Sequence, residues 1–144
     1  MLDNINPKIW GSTYWKMLHF VTFSYPDVPS DDDKINIKNF FMSFKEIIPC
    51  EKCRANFKNH LIKYPINDNT ISSKYNLMMW LINIHNEVNL MTGKPILTLD
   101  DCISFLNSNN SMRSINKNIV ILILLVILII VLIVYSKYRN NQIM

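Results

Sequence analysis

Apolar residues recur at helical spacing along nearly the whole chain, and no stretch keeps the two-residue alternation of a half-buried strand. Asn6-Pro7, an N-cap followed by the proline favoured at the first helical position, predicts a helix running to about Ser24, where Tyr25-Pro26 ends it. Ser30 followed by Asp31, Asp32 and Asp33 predicts a second start, because acids are stabilised at the positive end of a helix. The buried stripe of that helix is Ile37, Phe40, Phe41, Phe44, Ile47 and Ile48, and Pro49 stops it. A third helix is expected from about Cys50 to Lys63, with Phe57 and Leu61 facing inward. Ser72-Ser73 caps a fourth, striped by Leu77, Leu81, Ile84, Val88 and Met91 and terminated by Gly93 and Pro95. Thr98, Asp100 and Asp101 open a short fifth helix carrying Cys102, Phe105 and Leu106. With such short loops, an antiparallel bundle is the natural architecture.

The pattern changes after residue 106. Asn107 to Asn118 is polar and reads as a linker. Ile119 to Tyr135 is then an uncharged run of 17 residues, nearly all Ile, Leu and Val. As a helix it extends roughly 25 Å, enough for a thin bilayer. A core helix of a soluble domain would carry polar breaks on one face, so the run is expected to cross a membrane. Its place far from the N-terminus excludes a signal peptide. The expected fold class is all-α: a compact four-helix bundle plus a short fifth helix, followed by a single C-terminal transmembrane helix. The expected organisation is a globular domain over 1–108, a linker over 109–118, a transmembrane helix over 119–135 and a short polar tail over 136–144.

Charge alters this picture little. The net charge is +4, but Lys137 and Arg139 follow the apolar run, leaving thirteen basic residues against eleven acidic ones. No predicted helix carries a basic stripe, so no nucleic-acid partner is expected. Three cysteines cannot all pair within one chain; if Cys50 and Cys53 form one unit, Cys102 is left over.

Candidate chemistry centres on Cys50-Glu51-Lys52-Cys53. A Cys-x-x-Cys pair alone is ambiguous between redox, metal and disulfide roles. Pro49 ahead of it puts both sulfurs in the first turn of the third helix, where partial positive charge, with Lys52 and Arg54 nearby in sequence, favours a thiolate. A zinc knuckle using Cys50, Cys53, His60 and His85 is the rival; its spacings are unusual and a second cysteine-rich arm is missing. A thioredoxin-like site would need a βαβ pattern, which is absent from the sequence. Gly11, Trp15 and His19 are each four apart and line one face of the first helix. Glycine there costs about 1 kcal/mol relative to alanine, which is tolerable where something approaches the backbone closely. Taken alone, Trp15, His19, His85 and Asn89 read as ordinary core residues. Clustered with Asn86 on an apolar helix, however, His85 and Asn89 need polar partners, and a ring system with many acceptors would supply them.

Together, Trp10-Gly11-x3-Trp15-x3-His19, Tyr25-Pro26, Pro49-Cys50-x-x-Cys53, Trp80-x4-His85-Asn86-x-Val88-Asn89 and Gly93-Lys94-Pro95 resemble the Erv/ALR family of FAD-linked sulfhydryl oxidases. The resemblance covers most of residues 7 to 96, with order and separations intact, and is similar to the short forms encoded by large DNA viruses. It implies a bundle of four helices plus a short fifth, usually a homodimer, holding FAD non-covalently. It implies that Cys53 is the cysteine nearest the flavin and Cys50 the outer one that exchanges with a substrate dithiol. It further implies that Gly11, Trp15, His19 and Tyr25, with His85, Asn86, Asn89 and Lys94, surround the cofactor. The implied reaction transfers two electrons from substrate thiols through the cysteine pair to FAD and then to dioxygen, forming hydrogen peroxide.

Two departures bear on this. Many members have an arginine directly after the glycine, where this chain has Ser12. Many also carry a second disulfide near the fifth helix; Cys102 lies near one end of it with no partner left, and is expected to be a buried free thiol. Lacking a second Cys-x-x-Cys, the chain is expected to oxidise a separate thioredoxin-like carrier. An anchor close to the C-terminus implies tail insertion with the catalytic domain in the cytosol. Arg113 and Lys117 are balanced by Lys137 and Arg139, so loop charge does not set the orientation, and a lumenal domain is the rival placement. A cytosolic disulfide maker suits a virus assembling disulfide-bonded particles in the cytoplasm, in a host or virion membrane. The alternatives are a membrane-tethered zinc-binding adaptor using Cys50 and Cys53, or a structural membrane protein whose flavin site has decayed.

Overall fold

Short polar side chains and prolines set the helix boundaries seen in the computed structural model, which describes residues 4–110 and 117–142. Helix α1 spans Pro7–Phe23, with the Asn6 side chain accepting from the Lys8 amide. Helix α2, Asp31–Ile47, opens on a reciprocal cap between Ser30 and Asp33. Helix α3 spans Glu51–Lys63 and α4 spans Lys74–Met91, the latter capped by Ser73. Gly93, at φ +67°, ends α4 in the left-handed region that a side chain would strain. Helix α5 spans Leu99–Asn110, and Thr98 and Asp101 repeat the reciprocal cap of α2. Helix α6 spans Lys117–Gln142. No strand occurs among the described residues.

The chain divides into two units, one through Leu106 and one from Asn107. In the first, α1 packs on α4, α2 on α3, and α3 on α4. Leu77, Leu81 and Ile84 of α4 are fully buried, and Met78, Trp80 and Ile82 are buried as well. Helix α4 is therefore the centre of the bundle, buried over more of its circumference than one stripe requires. Phe41 of α2 meets Trp80 of α4 edge to face, and Phe44 of α2 meets Phe57 of α3 in the same core. Ile82, Cys102 and Leu106 form a smaller cluster where α5 is held.

Some expected core positions lie outside. Ile47 and Met91 are exposed, each in the last turn of its helix. The fifth helix continues to Asn110, into the stretch from Asn107 that reads as a linker, and residues 111–116 of that stretch lie outside the described residues. In the second unit, α6 outruns the apolar stretch on both sides, since Lys and Arg continue a helix as readily as Leu. It contains one apolar stretch, Ile121–Arg139, long enough to cross a membrane, and the side chains described over 121–133 are exposed.

Candidate active site

Cys50 and Cys53 are joined as a disulfide, with Cα atoms 5.2 Å apart. After Pro49, Cys50 is extended and acts as the N-cap of α3, its sulfur accepting from the Cys53 amide at 3.2 Å. Cys53 thus lies in the first helical turn, at the positive end of the helix, where a thiolate is stabilised.

The segment before α1 braces this loop. The Ile5 amide donates to the Pro49 carbonyl at 2.9 Å, and the Asn4 side chain accepts from the Glu51 amide at 2.8 Å. Trp10 Nε1 holds the segment by donating to the Ile5 carbonyl at 3.0 Å. None of these contacts has a periodic signature, so sequence reading missed them. Arg54 also differs from expectation. Its guanidinium donates to the carbonyls of Glu46 and Ile48, at 3.3 and 3.1 Å. The end of α2 leaves carbonyls without helical partners, and Arg54 satisfies them instead of attending the sulfurs.

The two cysteines face different surroundings. A cleft of about 500 Å³ between residues 4–7 and the start of α3 has Cys50 on its wall. Cys53 instead packs against the main core, the same core that Trp15 leans on.

On α1 and α4 the structure brings Trp15, His19 and His85 together. The Trp15 and His85 rings stack at 4.0 Å and 4°. His19 Nε2 lies 2.9 Å from His85 Nδ1, and His19 Nδ1 lies 3.2 Å from the free thiol of Cys102. Burial pushes His19 down to about 4. Burial, then the neighbouring His19 and Lys94, push His85 down to about 3. Both imidazoles are neutral at pH 7. Burial also raises the Cys102 thiol, which stays protonated.

Other expected site residues use their polar atoms within the chain. Asn86 accepts from the Leu97 amide at 2.7 Å and donates to the Leu97 carbonyl at 2.9 Å, so its amide is satisfied without a ring system. Tyr25 is buried and donates to the Ile71 carbonyl at 2.9 Å. Asn89 is buried, and its side-chain amide has no partner among the described residues. Lys94 is exposed, its backbone amide fastened to the Asn89 carbonyl at 2.8 Å. At Gly11 an added Cβ would meet nothing within 4 Å, so this face of α1 is open.

A clamp that the sequence did not reveal joins the end of α3 to α4. Glu87 accepts from Lys63 and from the Tyr64 hydroxyl, each at 2.7 Å, and these two bonds hold its carboxyl below the usual range. Buried His60 is close by, with Nε2 unpartnered among the described residues. The zinc reading gains no support: among the described residues, no three His, Cys, Asp or Glu side chains gather as a metal site would need.

The depressed imidazoles make stability pH-dependent in one direction. An unfolded histidine takes up a proton near pH 6.5, whereas folded His19 and His85 refuse it until about pH 4 and 3. Their contribution is therefore complete above pH 6.5 and lost progressively as pH falls toward 4. From pH 7.5 to 4.5 the expected loss is on the order of 2 kcal/mol per histidine. Denaturant titrations followed by tryptophan fluorescence check this, since Trp10, Trp15 and Trp80 all lie in the bundle. An equally steep loss in a His19→Gln/His85→Gln variant would assign the effect elsewhere.

The described residues form an all-α bundle with a disulfide at a helix start, and Cys53 and the ring-stacked Trp15 pack on the same core, an arrangement that suits a dithiol redox protein with a planar cofactor. Residues 12–109 match the Erv1/Alr family, and the chain belongs to that family. It is 43% identical over 99 residues to a protein of Acanthamoeba polyphaga mimivirus named "Probable FAD-linked sulfhydryl oxidase", covering 69% of each chain. It is 34% identical over 85 residues to the mitochondrial FAD-linked sulfhydryl oxidase Erv1 of Saccharomyces cerevisiae, covering 59% of this chain and 43% of that one. The crystal structure of the FAD binding domain of yeast Erv1 superposes with a TM-score of 0.62 at 29% identity, covering 69% of this chain and 91% of that one.

The residues present fit FAD. The half-buried Trp15–His85 stack offers aromatic surface, Asn89 an uncommitted amide, Lys94 a cation for phosphate, and Gly11 open space.

Proposed function

We propose that this enzyme, a FAD-linked thiol oxidase, forms disulfides in protein substrates through Cys50 and Cys53. A substrate thiolate attacks the Cys50 sulfur, giving a mixed disulfide and releasing Cys53 as a thiolate. The second substrate thiol then displaces Cys50, so the substrate leaves oxidised and the enzyme pair is left as two thiols. FAD, held by the residues named below, would supply the acceptor for those two electrons and the chemistry that reduces dioxygen to hydrogen peroxide. The observation that carries these roles is the cleft at Cys50, set against the packing of Cys53 on the core.

In this reading Trp15, His85, Asn89 and Lys94 contact FAD, and Gly11 leaves room for it. His19, Tyr25 and Asn86 hold the surrounding elements, because their polar atoms are bonded within the chain. The substrate is a thioredoxin-like carrier, a protein dithiol that reaches Cys50 through the cleft beside residues 4–7. The enzyme acts as a homodimer within a viral pathway of disulfide formation and particle assembly. Helix α6 anchors it in a host or virion membrane, a reading supported by its long apolar stretch, with the catalytic domain in the cytosol.

The full chain, purified in detergent, is expected to be yellow. Dithiothreitol should bleach the flavin bands without air, and oxygen should restore them with one peroxide formed per oxygen consumed. The same chain in cells should remain in the membrane pellet after an alkaline carbonate wash. A colourless protein that FAD fails to reconstitute would overturn the oxidase reading, and release by carbonate would overturn the anchor.

A further inference from the structure

The contact between Cys102 and His19 has no part in the dithiol chemistry, yet it ends at the cofactor side of the bundle. Cys102 on α5 is 2% exposed, and His19 on α1 is 4% exposed. Their 3.2 Å contact is followed by the 2.9 Å contact from His19 to His85, whose ring lies flat on Trp15. Three polar groups from three helices thus form one line. The sequence separates His19 from Cys102 by 83 residues and from His85 by 66, and only the packing of α5 and α4 beside α1 joins them.

Such a line has a direction. A protonated thiol is a donor, and a buried imidazole nitrogen facing it satisfies it by accepting. Neutral His19 then carries its one proton on Nε2. That proton points at His85 Nδ1, which must accept, so neutral His85 carries its own proton on Nε2. His85 Nε2 bonds to no other group among the described residues and is left as a donor. In the opposite arrangement the His19 Nδ1–H would donate to sulfur, a weak acceptor, and the thiol proton would turn away from the imidazole that is placed to accept it.

We propose that Cys102 is a positioning residue for the cofactor site: its thiol donates to His19 and, through His19, makes His85 present an N–H donor to FAD. The flavin and adenine rings both offer acceptors at their edges, and a histidine of the wrong tautomer would oppose them with a lone pair. This inference rests on the reading of His85 as a FAD contact. It also gives a physical role to the cysteine left over by the Cys50–Cys53 pair.

The oxidised holoenzyme contains a single thiol, so its infrared S–H stretch reports Cys102 alone. The band is expected below the position of a free thiol, to vanish in Cys102→Ala, and to move back toward the free position in His19→Phe. An unshifted band, or no band because the sulfur is a thiolate, overturns the proposal on the wild-type protein alone, even if the variants fold poorly. Nitrogen-15 spectra of the three histidines should show His19 and His85 protonated on Nε2 at pH 7; protonation of either on Nδ1 overturns it too. FAD is expected to bind about 10-fold more weakly to Cys102→Ala, and Cys102→Ser, which keeps a donor, should restore most of that loss. A shifted S–H band with unchanged FAD affinity in Cys102→Ala would overturn the role toward FAD and His85 as its contact, while leaving the dithiol chemistry untouched.

Discussion

Replacing Cys53 with serine is expected to lower thiol-driven oxygen uptake by about 10³-fold or more, and Cys50→Ser should do the same. Either change removes the disulfide that accepts the substrate electrons, and serine forms neither a mixed disulfide nor a redox pair. The protein should keep its flavin bands, which separates lost chemistry from lost folding. The two variants should differ in the reactivity of the thiol that remains. In Cys53→Ser, Cys50 lines the cleft beside residues 4–7 and should react readily with a bulky aromatic disulfide. In Cys50→Ser, Cys53 packs against the core and should react at least about 10-fold more slowly. Cys102 is buried and free in both, so it contributes the same slow background. Faster reaction of Cys53 would reverse the assignment of outer and inner cysteines.

The largest expected effect on stability follows from Phe41. This side chain is 0% exposed, meets Trp80 edge to face at 4.6 Å, and contacts Phe40 at 5.0 Å. Trp80 is in turn held by its indole N–H, which donates to the Tyr64 carbonyl at 2.9 Å. Phe41→Ala leaves a cavity against a tryptophan that cannot move to fill it, at a cost of about 3–5 kcal/mol. That is a large share of the roughly 5–15 kcal/mol that holds a domain of this size. Guanidinium denaturation should show the loss, and Phe41→Leu should recover much of it. A loss below about 1 kcal/mol would mean that the α2–α4 contact is not what secures the bundle. The consequence reaches the active site, because α2 also holds α3 through the edge contact of Phe44 with Phe57, one turn beyond Cys53.

Helix starts were legible in the sequence because caps are local. Asn6 with Lys8, Ser30 with Asp33, Ser73 with Asn76, and Thr98 with Asp101 all close hydrogen bonds within three residues. The left-handed turn at Gly93 was legible for the same reason. Apolar spacing identified Leu77, Leu81 and Ile84 as core, but it could not show that α4 is central, since a stripe records one buried face and not how many helices surround it. The exposure of Ile47 and Met91 has the same origin: periodicity continues to the last turn of a helix whether or not a neighbour is there.

The chemistry divides along the same line. Five residues, Pro49 to Cys53, determined the cysteine pair and its place at a helix start, since spacing and helix boundaries are properties of adjacent residues. Packing alone decided which residues attend it. The bonds of Ile5 and Asn4 to the Cys50 loop, the turning of Arg54 toward the end of α2, the clamp on Glu87 and the bonds of Asn86 to Leu97 each depend on groups that meet only after folding. The line from Cys102 through His19 to His85 goes furthest, joining α5, α1 and α4 at separations of 83 and 66 residues. A hydrogen bond requires its partners within about 3 Å, and at such separations only the tertiary structure sets that distance.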